Sequence, residues 1–540
     1  MSYVFVNGRI LDGSGNPWRY GDVVVEGDKI VDVLPPGSGN YEGTKVVDAK
    51  GKFICPGFID IQSHSLRSLM RDGRSVSKLL QGVTTEIMGE VWTPAPAVGR
   101  FPDPFSVISQ GMAPDEWLER AKGWKRFGDW LQAMEDAGVS PNVGSFQSGG
   151  TLRRIATEAY KTEPTSEQLE QMKQIMAESM EDGAFGVAYA LIYPPDVWAT
   201  TQEIIEIARV VAKYNGVYIT HMRSEAEQIL SGLEEAMTIG RESGAAVEIY
   251  HLKACGENVW SLMPEVIRRI EQARAEGLDI TADMYPYEAS GTGLTTCLPA
   301  WVEEKENYLT LLNDPEIRKQ IRADVENPDS GYDGQLRASG AGNVMTLGLK
   351  LPEHQQFIGM RLDQIAEIRG TDIVDTLCDL LFKEQQRIQS IFFKMSPENT
   401  ALQLSQPWVT VSSDAAGLDP DWAMPLGPVH PRSYGTYPRV LGKYTREEKL
   451  LTWEEAIRKM TSAVAQRLNL KYRGKIEPGY FADIVVFDPL TIADKATFTD
   501  PHQLSTGIEQ VFVNGVQVVK EGKHTGATPG RFVRPGSCPE

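Results

Sequence analysis

The sequence predicts an α/β protein: a (β/α)8 TIM barrel joined to a small β-sandwich domain that both chain termini build. Three observations support this prediction. Eight short apolar strand patterns recur along the middle of the chain, helical patterns fill most of the gaps between them, and the two ends carry matching strand patterns. Eight strand-helix units are the content of a (β/α)8 barrel.

The strand patterns are short apolar runs, and the gaps between them are amphipathic. Segments such as TQEIIEIARVVAKYNG repeat apolar residues every three or four positions and end at Gly, as helices do. The interval from about 285 to 407 is too long for one crossover, so we expect an inserted segment at about 300–400. The predicted strands lie near residues 57–62, 83–89, 142–147, 184–190, 217–221, 246–251, 278–284 and 408–413.

The two ends of the chain share the pentapeptide VFVNG, at residues 4–8 and 511–515. Each copy is an alternating strand that ends in Asn-Gly, a strong hairpin-turn signal. A strand followed by a turn is often built from such a sequence, so the match alone is weak evidence. However, strand patterns cluster at both ends of the chain while helical patterns fill the middle. We therefore expect residues 1–56 and 476–540 to form the β-domain and residues 57–475 to form the catalytic barrel with its insertion.

The composition excludes several classes of partner. Of the 540 residues, 41% are hydrophobic and 24% are charged, which is ordinary for a soluble globular protein. The net charge of −19 would repel a phosphate backbone, so we expect no nucleic-acid partner. No apolar run reaches the length of a membrane span, and the start MSYVFVNGRI lacks a secretory signal. Five scattered cysteines without a CxxC pair fit reduced thiols, so we expect a cytoplasmic protein with no membrane partner.

Side chains that can bind a metal follow six of the predicted strands. In barrels of this kind the chemistry lies at the C-terminal ends of the strands. One histidine at a strand end is more often structural, but three of the chain's seven histidines lie there together with acids, which favours a metal site. Imidazole and carboxylate ligands suit a borderline divalent ion, usually zinc. The strand-end residues are His64, Glu90, His221, His251, Asp283 and Asp414.

Asp414, at the end of the last predicted strand, is the candidate proton carrier. Zinc lowers the pKa of bound water to about 7, and a nearby carboxylate can take a proton from water and pass it to a leaving amine. The alternative for Asp414 is a helix cap in the Ser-Ser-Asp turn. The sequence has no G-x-S-x-G elbow, P-loop or Rossmann glycine pattern, so nucleophilic and nucleotide-dependent chemistry is less favoured.

Nearly the whole chain resembles one known family. The motifs that carry the resemblance are PGFIDIQSHS, QGVTTEIMGE, GAFGVAYALIYPP, YITHMRSEA, IYHLKACG, DMYPYEASGT, SSDAAGL, HPRSYGTYPRVLG and RGKIEPGYFADIVVFDP, in this order. They resemble the N-acyl-D-amino-acid deacylases (D-aminoacylases) of the amidohydrolase superfamily. The resemblance implies a metal-dependent (β/α)8 barrel with a β-domain from both termini. It also implies an enzyme that hydrolyses amide C–N bonds other than peptide bonds, with a small N-acyl-D-amino acid or similar N-acyl compound as substrate.

The resemblance also implies roles for individual residues. His221 and His251 match the family's tight-site metal ligands, Asp414 matches its catalytic aspartate, and His64 matches the second histidine of its H-x-H pair. The first histidine of that pair is Gln62 here, and a neutral amide is a poor zinc ligand. Because the family's D-aminoacylases act with the tight-site metal alone, we expect one tight zinc site and a second site that is weak or empty.

The turn after the second strand departs from the family as well. D-aminoacylases often carry a bridging cysteine in a GNCG turn, where this chain has Gly89-Glu90-Val91. Other relatives carry a glutamate in this turn, so we expect Glu90 to be the third ligand of the tight zinc. The alternative is that Glu90 is a solvated turn residue, but the tight site would then have only two protein ligands.

Four residues are candidates for substrate binding. Tyr193, Lys253 and Ser290 match positions that the family places around the substrate carboxylate, and a lysine can anchor a carboxylate as a point charge. The alternatives are that Tyr193 only packs and that Lys253 faces solvent. Arg223 is the fourth candidate, which either faces the site or pairs with Glu225.

Two other functions compete with deacylation. The first is hydrolysis of another linear or cyclic amide, such as a hydantoin or an imide; enzymes of that kind often bridge two metals with a carboxylated lysine, and no lysine lies at a matching strand end. The second is a non-catalytic barrel that acts as a scaffold. The sequence leaves open the acyl group, the amino-acid side chain, the preference for D or L substrates and the oligomeric state.

Overall fold

The computed structural model describes residues 2–105, 114–157, 161–305, 307–330, 332 and 334–536. Eight short parallel strands lie at the positions that the apolar runs predict, and almost every residue in them is buried. The strands are β1 (Phe58–Asp60), β2 (Val83–Met88), β3 (Asn142–Ser145, continued as Gln147–Ser148), β4 (Gly186–Ala190), β5 (Val217–His221), β6 (Ala246–Ile249), β7 (Ile280–Met284) and β8 (Val409–Val411).

Hydrogen bonds connect these eight strands in a closed order. Strand β2 pairs with β1 and with the first part of β3, and the second part of β3 begins the run β3-β4-β5-β6-β7-β8, all parallel. The last strand returns to the first, because Asp414 N donates to Gln62 O at 3.0 Å and His64 N donates to Ala415 O at 3.0 Å. The predicted α/β class is confirmed, and the C-terminal ends of all eight strands meet at one face.

Amphipathic helices follow most of the strands. The helix after β4 is typical: Thr200 caps its first turn by accepting a hydrogen bond from Glu203 N, and Ile204, Ile207 and Val211 point into the core. The helices outside the inserted segment are Leu66–Arg71, Val76–Leu79, Asp115–Ala121, Asp129–Ala137, Gly149–Ala156, Ser166–Glu181, Thr201–Lys213, Ile229–Ser243, Met263–Ala275, Pro397–Leu404, Pro420–Ala423, Arg432–Arg439, the π-helix Val440–Glu447, Trp453–Met460 and Ser462–Arg467.

Strands from both termini pair with each other beside the barrel. In one seven-stranded sheet, Ile484–Phe487 from the C-terminal part pairs antiparallel with Phe53–Pro56 from the N-terminal part. A four-stranded sheet packs on it through a shared apolar cluster that includes Phe5 and Phe512. The domain boundaries at residues 56 and 475 stay a prediction. The strands are Ser2–Val6, Asp22–Glu26, Lys29–Leu34 and Lys45–Asp48 in the smaller sheet, and Arg9–Ile10, Arg19–Tyr20, Phe53–Pro56, Ile484–Phe487, Ile508–Val513, Val516–Lys520 and Lys523–His524 in the larger.

The long interval between β7 and β8 forms a separate layer over the barrel mouth. Its three strands make an antiparallel sheet, and its helices enclose an apolar cluster of their own that includes Leu298, Leu377 and Phe392. The strands are Ala289–Gly293, Val344–Thr346 and Gln389–Phe393, and the helices are Ala300–Glu303, Tyr308–Leu311, Pro315–Glu326, Gln335–Ser339, Leu362–Arg369 and Ile373–Glu384.

Two observations bear on the predicted location. Cys55, Cys255, Cys297 and Cys378 are buried free thiols, and Cys538 lies outside the described residues. Among the described residues, no helix has the length and apolar character needed to cross a membrane. The cytoplasmic location stays a prediction.

Candidate metal centre

The ends of strands β1, β2, β5, β6 and β8 bring metal-binding side chains together in two adjacent groups. One group contains His221, Glu225 and His251, and the other contains His64, Glu90 and Asp414. Within each group, the atoms that could bind a metal all lie within 4.8 Å of one another.

The first group is buried and built around two imidazoles. The rings of His221 and His251 are 4.5 Å apart between centroids, and Glu225 lies 3.6 Å from His221 Nε2 and 3.1 Å from His251 Nδ1. His221 Nδ1 is 3.0 Å from the Met222 carbonyl oxygen, so a proton on Nδ1 leaves Nε2 free to bind a metal. Burial lowers the pKa of His221 to about 4, which keeps this imidazole neutral near pH 7.

The second group adjoins the first through Glu90. One oxygen of Glu90 is 3.7 Å from His251 Nε2, and the other is 3.3 Å from His64 Nε2. His64 Nε2 also lies 2.9 Å from Asp414 Oδ1. Burial opposes a charge on His64, but the carboxylates of Asp414 and Glu90 outweigh it and raise the pKa of His64 to about 10. Glu90 therefore lies between the two groups, and it is buried rather than solvated in its turn.

Gln62 occupies the place next to Glu90 where the family has a histidine. Its Nε2 donates to Glu90 at 2.6 Å, and its Oε1 accepts from Ser412 Oγ at 3.3 Å. The side chain is fully enclosed. Both polar ends of the amide are therefore used within the protein, and Gln62 fixes the Glu90 carboxylate by a hydrogen bond.

The backbone at Asp414 is held in an unusual conformation. Its φ of +48° lies in the left-handed region, which non-glycine residues rarely adopt and which costs about 1–3 kcal/mol where it is strained. No helix begins at Asp414; the next helix starts at Pro420 and is capped by Asp419, so the helix-cap alternative for Asp414 is wrong. Burial acts to raise the pKa of Asp414, but the nearby charges of Arg432 and the histidines lower it to about 2.

A second buried charge cluster, here called the Lys78 cluster, lies below the strand ends. Lys78 contacts Asp60, lies 2.6 Å from Ser413 Oγ and is 3.5 Å from Glu86. Asp60 also accepts a hydrogen bond from Ser413 N at 3.0 Å, which fixes the residue before Asp414. The Lys78 cluster therefore positions the backbone of the last strand end.

The other carboxylate of the Lys78 cluster holds the first strand end. Glu86 accepts hydrogen bonds from Ser63 Oγ at 2.6 Å and from Ser65 Oγ, and these serines flank His64. The Lys78 cluster thus contacts the chain on both sides of the second donor group.

Two of the four predicted substrate residues, Lys253 and Tyr193, contact the first group of the candidate metal centre. Lys253 does not face solvent: its Nζ donates to Glu225 at 2.6 Å and lies 2.7 Å from His251 Nδ1. The Tyr193 ring lies 5.7 Å from that of His221. The Ser290 hydroxyl is buried and has no hydrogen-bond partner among the described residues. Their roles in binding a substrate stay predictions.

Arg223, the fourth predicted residue, is hydrogen-bonded to other groups of the protein. Its guanidinium forms two hydrogen bonds with Glu235, both at 2.9 Å, and does not pair with Glu225. It also donates to the carbonyl oxygens of Val197 and Ala199 at 2.9 and 2.8 Å. The alternative of a pair with Glu225 is therefore wrong, and the predicted role of Arg223 in substrate binding stays a prediction.

The sequence reasoning missed three residues of the site. Glu225 was weighed only as a partner of Arg223, although it follows His221 by four residues and could have been tested as a ligand. Arg432 lies in the HPRSYG motif, and its Nη1 is 2.7 Å from Asp414 Oδ2. The third missed residue is Tyr285, whose ring centroid lies 4.6 Å from the guanidinium of Arg432. The buried hydroxyl of Tyr285 has no hydrogen-bond partner among the described residues.

The donor set fits a divalent metal. Three imidazoles and three carboxylates converge from five strand ends in two groups, and all six residues except His64 are buried. Borderline divalent ions, zinc above all, favour imidazole and carboxylate ligands of this kind. Burial of so many carboxylates is costly unless positive charge accompanies them.

Comparison with known proteins agrees with this geometry. A D-aminoacylase of Alcaligenes xylosoxydans xylosoxydans is 33% identical over 532 residues, which cover 98% of this chain and 97% of that protein. The chain belongs to the D-aminoacylase family of amidohydrolases. A profile of the Amidohydrolase family matches residues 341–519. An N-acyl-D-aspartate deacylase of the same organism is 30% identical, with 99% of this chain and 95% of that protein covered.

Solved structures of D-aminoacylase-family enzymes show the same architecture. A D-aminoacylase, described as having a binuclear metal centre with one-metal activation and second-metal attenuation, superposes with a TM-score of 0.81 at 31% identity, over 98% of this chain and 99% of the other. An N-acyl-D-glutamate deacylase from Bordetella bronchiseptica, complexed with zinc and a phosphonate inhibitor, has a TM-score of 0.80 at 26% identity over the same shares.

Proposed function

We propose that this member of the D-aminoacylase family is a zinc-dependent hydrolase that cleaves the N-acyl amide bond of N-acyl-D-amino acids. The observation that supports it best is the continuous donor set that Glu90 makes with His251 on one side and His64 on the other, with Asp414 beside it. The similarity to deacylases over nearly the full chain supplies the substrate class.

The proposed zinc ligands of the tight site are His221, His251 and Glu90. Bound there, zinc would lower the pKa of water and polarise a carbonyl oxygen. Glu225 is the competing carboxylate, but Lys253 already neutralises it at 2.6 Å. The second position would have His64 and Asp414 without a second imidazole, because Gln62 donates its amide to Glu90. We therefore infer one tight zinc and a second position that is weak or empty.

Asp414 is the proposed proton carrier. Its low pKa keeps it ionised at neutral pH, so it can take the proton of the attacking water and deliver it to the leaving nitrogen. Arg432 is the main source of that low pKa. A substrate carboxylate drawn to Arg432 would share the guanidinium, and this would make Asp414 more basic when the substrate is bound.

The substrate carboxylate would be bound on the side of Asp414 that faces Arg432. Arg432 can bind a carboxylate through two parallel hydrogen bonds. Ser290 and Tyr285 offer hydroxyl groups that have no partner among the described residues, and Lys253 lies 5.8 Å from the ring centroid of Tyr285. These groups are the proposed anchor for the α-carboxylate.

Release of free amine from defined substrates tests the proposal. The purified protein, loaded with one equivalent of zinc, is incubated with N-acetyl-D-amino acids, their L counterparts, simple amides, a hydantoin and a cyclic imide. We expect amine release from N-acetyl-D-amino acids and a strong preference for them over the L forms. Opening of the hydantoin or imide without release of amine from any N-acyl amino acid would refute deacylation. Loss of all activity together with an absence of bound zinc would favour the scaffold alternative.

A further inference from the structure

A cavity of about 370 Å³ opens beside the candidate metal centre, with His221 and Glu225 in its lining. Most of its wall is apolar and is formed by two parts of the chain, the loop after β4 and the inserted segment. The main apolar lining residues are Pro194, Val197, Trp198, Leu298, Trp301 and Tyr332. Its position and size fit either the side chain or the acyl group of an N-acyl amino acid whose amide lies at the metal centre.

The charges around this cavity are not balanced by a free cation. Among its described lining residues, Arg223 is the one lysine or arginine, while Glu303, Glu304 and Asp324 add carboxylates. Burial raises the pKa of Glu303, which indicates that its carboxylate is partly removed from water. A ligand that brought another carboxylate into this space would need the guanidinium of Arg223 as its partner.

The guanidinium of Arg223 is already paired with Glu235 within the protein. Glu235 lies on the helix Ile229–Ser243 and, unlike Arg223, is not part of the cavity lining. Both of its oxygens accept hydrogen bonds from Arg223 at 2.9 Å, and Thr201 Oγ1 donates to one of them at 2.8 Å. This two-point pair is the strong form of an arginine–carboxylate interaction.

We propose that Glu235 is a specificity-determining residue, which neutralises Arg223 and so restricts the cavity to uncharged groups of the substrate. The proposal rests on the proposed function. Without the charge of Glu235, Arg223 would still donate to the carbonyl oxygens of Val197 and Ala199, but its positive charge would be uncompensated at the cavity wall and would favour a carboxylate there.

Steady-state kinetics with three substrates test the proposal. N-acetyl-D-norleucine is the neutral reference, N-acetyl-D-glutamate carries a carboxylate on the side chain, and N-succinyl-D-norleucine carries one on the acyl group. We expect the wild type to favour the neutral substrate over at least one of the acidic ones. Glu235→Gln keeps the shape and removes the charge, so it should raise kcat/KM for that acidic substrate, relative to the neutral one, by about tenfold or more. The substrate that responds shows which group enters the cavity.

Two further variants separate this role from a structural one. Glu234→Gln changes the neighbouring residue, which pairs with Arg241 on the exposed face of the same helix, and should leave the ratio unchanged. The double variant Arg223→Gln, Glu235→Gln should not show the increase in kcat/KM for the acidic substrate, because the guanidinium that would bind the carboxylate is absent.

Each outcome decides the question. If a folded Glu235→Gln shows no change in kcat/KM for either acidic substrate relative to the neutral one, the proposed role of Glu235 is wrong. It is also wrong if the double variant keeps the increase. The wild type alone also tests it: equal kcat/KM for all three substrates would overturn it even if Glu235→Gln did not fold. If the zinc-loaded wild type releases no amine from N-acetyl-D-norleucine or from either acidic substrate, the proposed function itself fails, and the inference falls with it.

Discussion

The Lys78 cluster and Glu90 of the candidate metal centre are both buried, and they differ in what neutralises their carboxylates. In the Lys78 cluster an ammonium lies between Asp60 and Glu86, and all three side chains have no exposed surface. In the candidate metal centre Glu90 contacts two imidazoles and the amide of Gln62, with no lysine or arginine among its contacts in the described residues.

This difference separates a structural cluster from a functional one. A carboxylate pair with its own ammonium is balanced and can be sealed from solvent. A carboxylate surrounded by imidazoles is balanced only if the imidazoles are protonated or a metal binds, and imidazoles are the better zinc ligands when neutral. The Lys78 cluster should therefore contribute to folding stability and to the position of the strand ends. The metal centre should contribute to zinc binding and proton transfer.

The largest expected effect is removal of both imidazoles of the first donor group. The double variant His221→Ala, His251→Ala should lose stoichiometric zinc and fall below detectable turnover, because one carboxylate cannot hold the ion alone. Metal content by mass spectrometry and amine release measure this. His64→Ala is the matched control, because it removes an imidazole of the second group and should leave the tight zinc in place. Full zinc retention by the double variant would contradict the ligand assignment.

Asp414→Asn should give the next largest effect. The amide keeps the shape of the carboxylate but cannot carry the proton, so turnover should fall by about 10²–10⁴ while zinc content and melting temperature stay near those of the wild type. Zinc content, thermal melting and turnover are measured on one preparation. Unchanged turnover would exclude Asp414 as the proton carrier. Loss of zinc together with turnover would make Asp414 chiefly a ligand and would contradict the single-site proposal.

The positions of the strand ends were predictable because each strand is a short apolar run that stops at a polar residue. This placed His64, Glu90, His221, His251 and Asp414 at one face before any contact was known. Parallel strands in a closed barrel leave no other arrangement for their C-terminal ends. The inserted segment was predictable for a simpler reason, since the interval between β7 and β8 is too long for one crossover.

The partners of those residues were not predictable, because they depend on contacts between distant segments. Arg432 reaches Asp414 only after the chain leaves β8 and returns, and His430 helps to hold it by accepting from Arg432 N at 3.0 Å. His430 is itself buried, with its Nε2 2.9 Å from Ala289 O, a contact between segments about 140 residues apart. The pairing of Arg223 with Glu235 likewise depends on how a helix packs, and the local sequence offered Glu225 instead.

The Lys78 cluster should respond to mutation through stability. Lys78→Met removes the ammonium and leaves two buried carboxylates uncompensated, which should cost about 3–5 kcal/mol of folding free energy. Chemical denaturation of the zinc-free protein measures this. Lys173→Met is the matched control, because Lys173 is only partly buried and pairs with Glu170 and Glu206 near the surface, where such pairs contribute about 0–1 kcal/mol.

Zinc content separates the two clusters in the same variant. If Lys78→Met still folds at low temperature, it should bind zinc with the wild-type stoichiometry, because no proposed ligand has been removed. A loss of zinc without a loss of stability would contradict the structural role of the Lys78 cluster.

Gln62→His should have the smallest effect on turnover and should sharpen the difference between the two donor groups. The variant supplies the imidazole that the family has at this position, beside His64 and Asp414, so a second zinc should bind when the metal is in excess. It also removes the amide that donates to Glu90 at 2.6 Å, but an imidazole nitrogen can replace that hydrogen bond or bind the metal.

Zinc titration of wild type and variant counts the sites, and Gln62→Ala is the control, because it opens the same space without a ligand. Two zinc ions per chain in Gln62→His, with one in the wild type and in Gln62→Ala, would attribute the single tight site to this residue. If Gln62→His binds no more zinc than the wild type, the second position is closed by its surroundings, and the hydrogen bond between His64 and Asp414 at 2.9 Å becomes the first contact to remove.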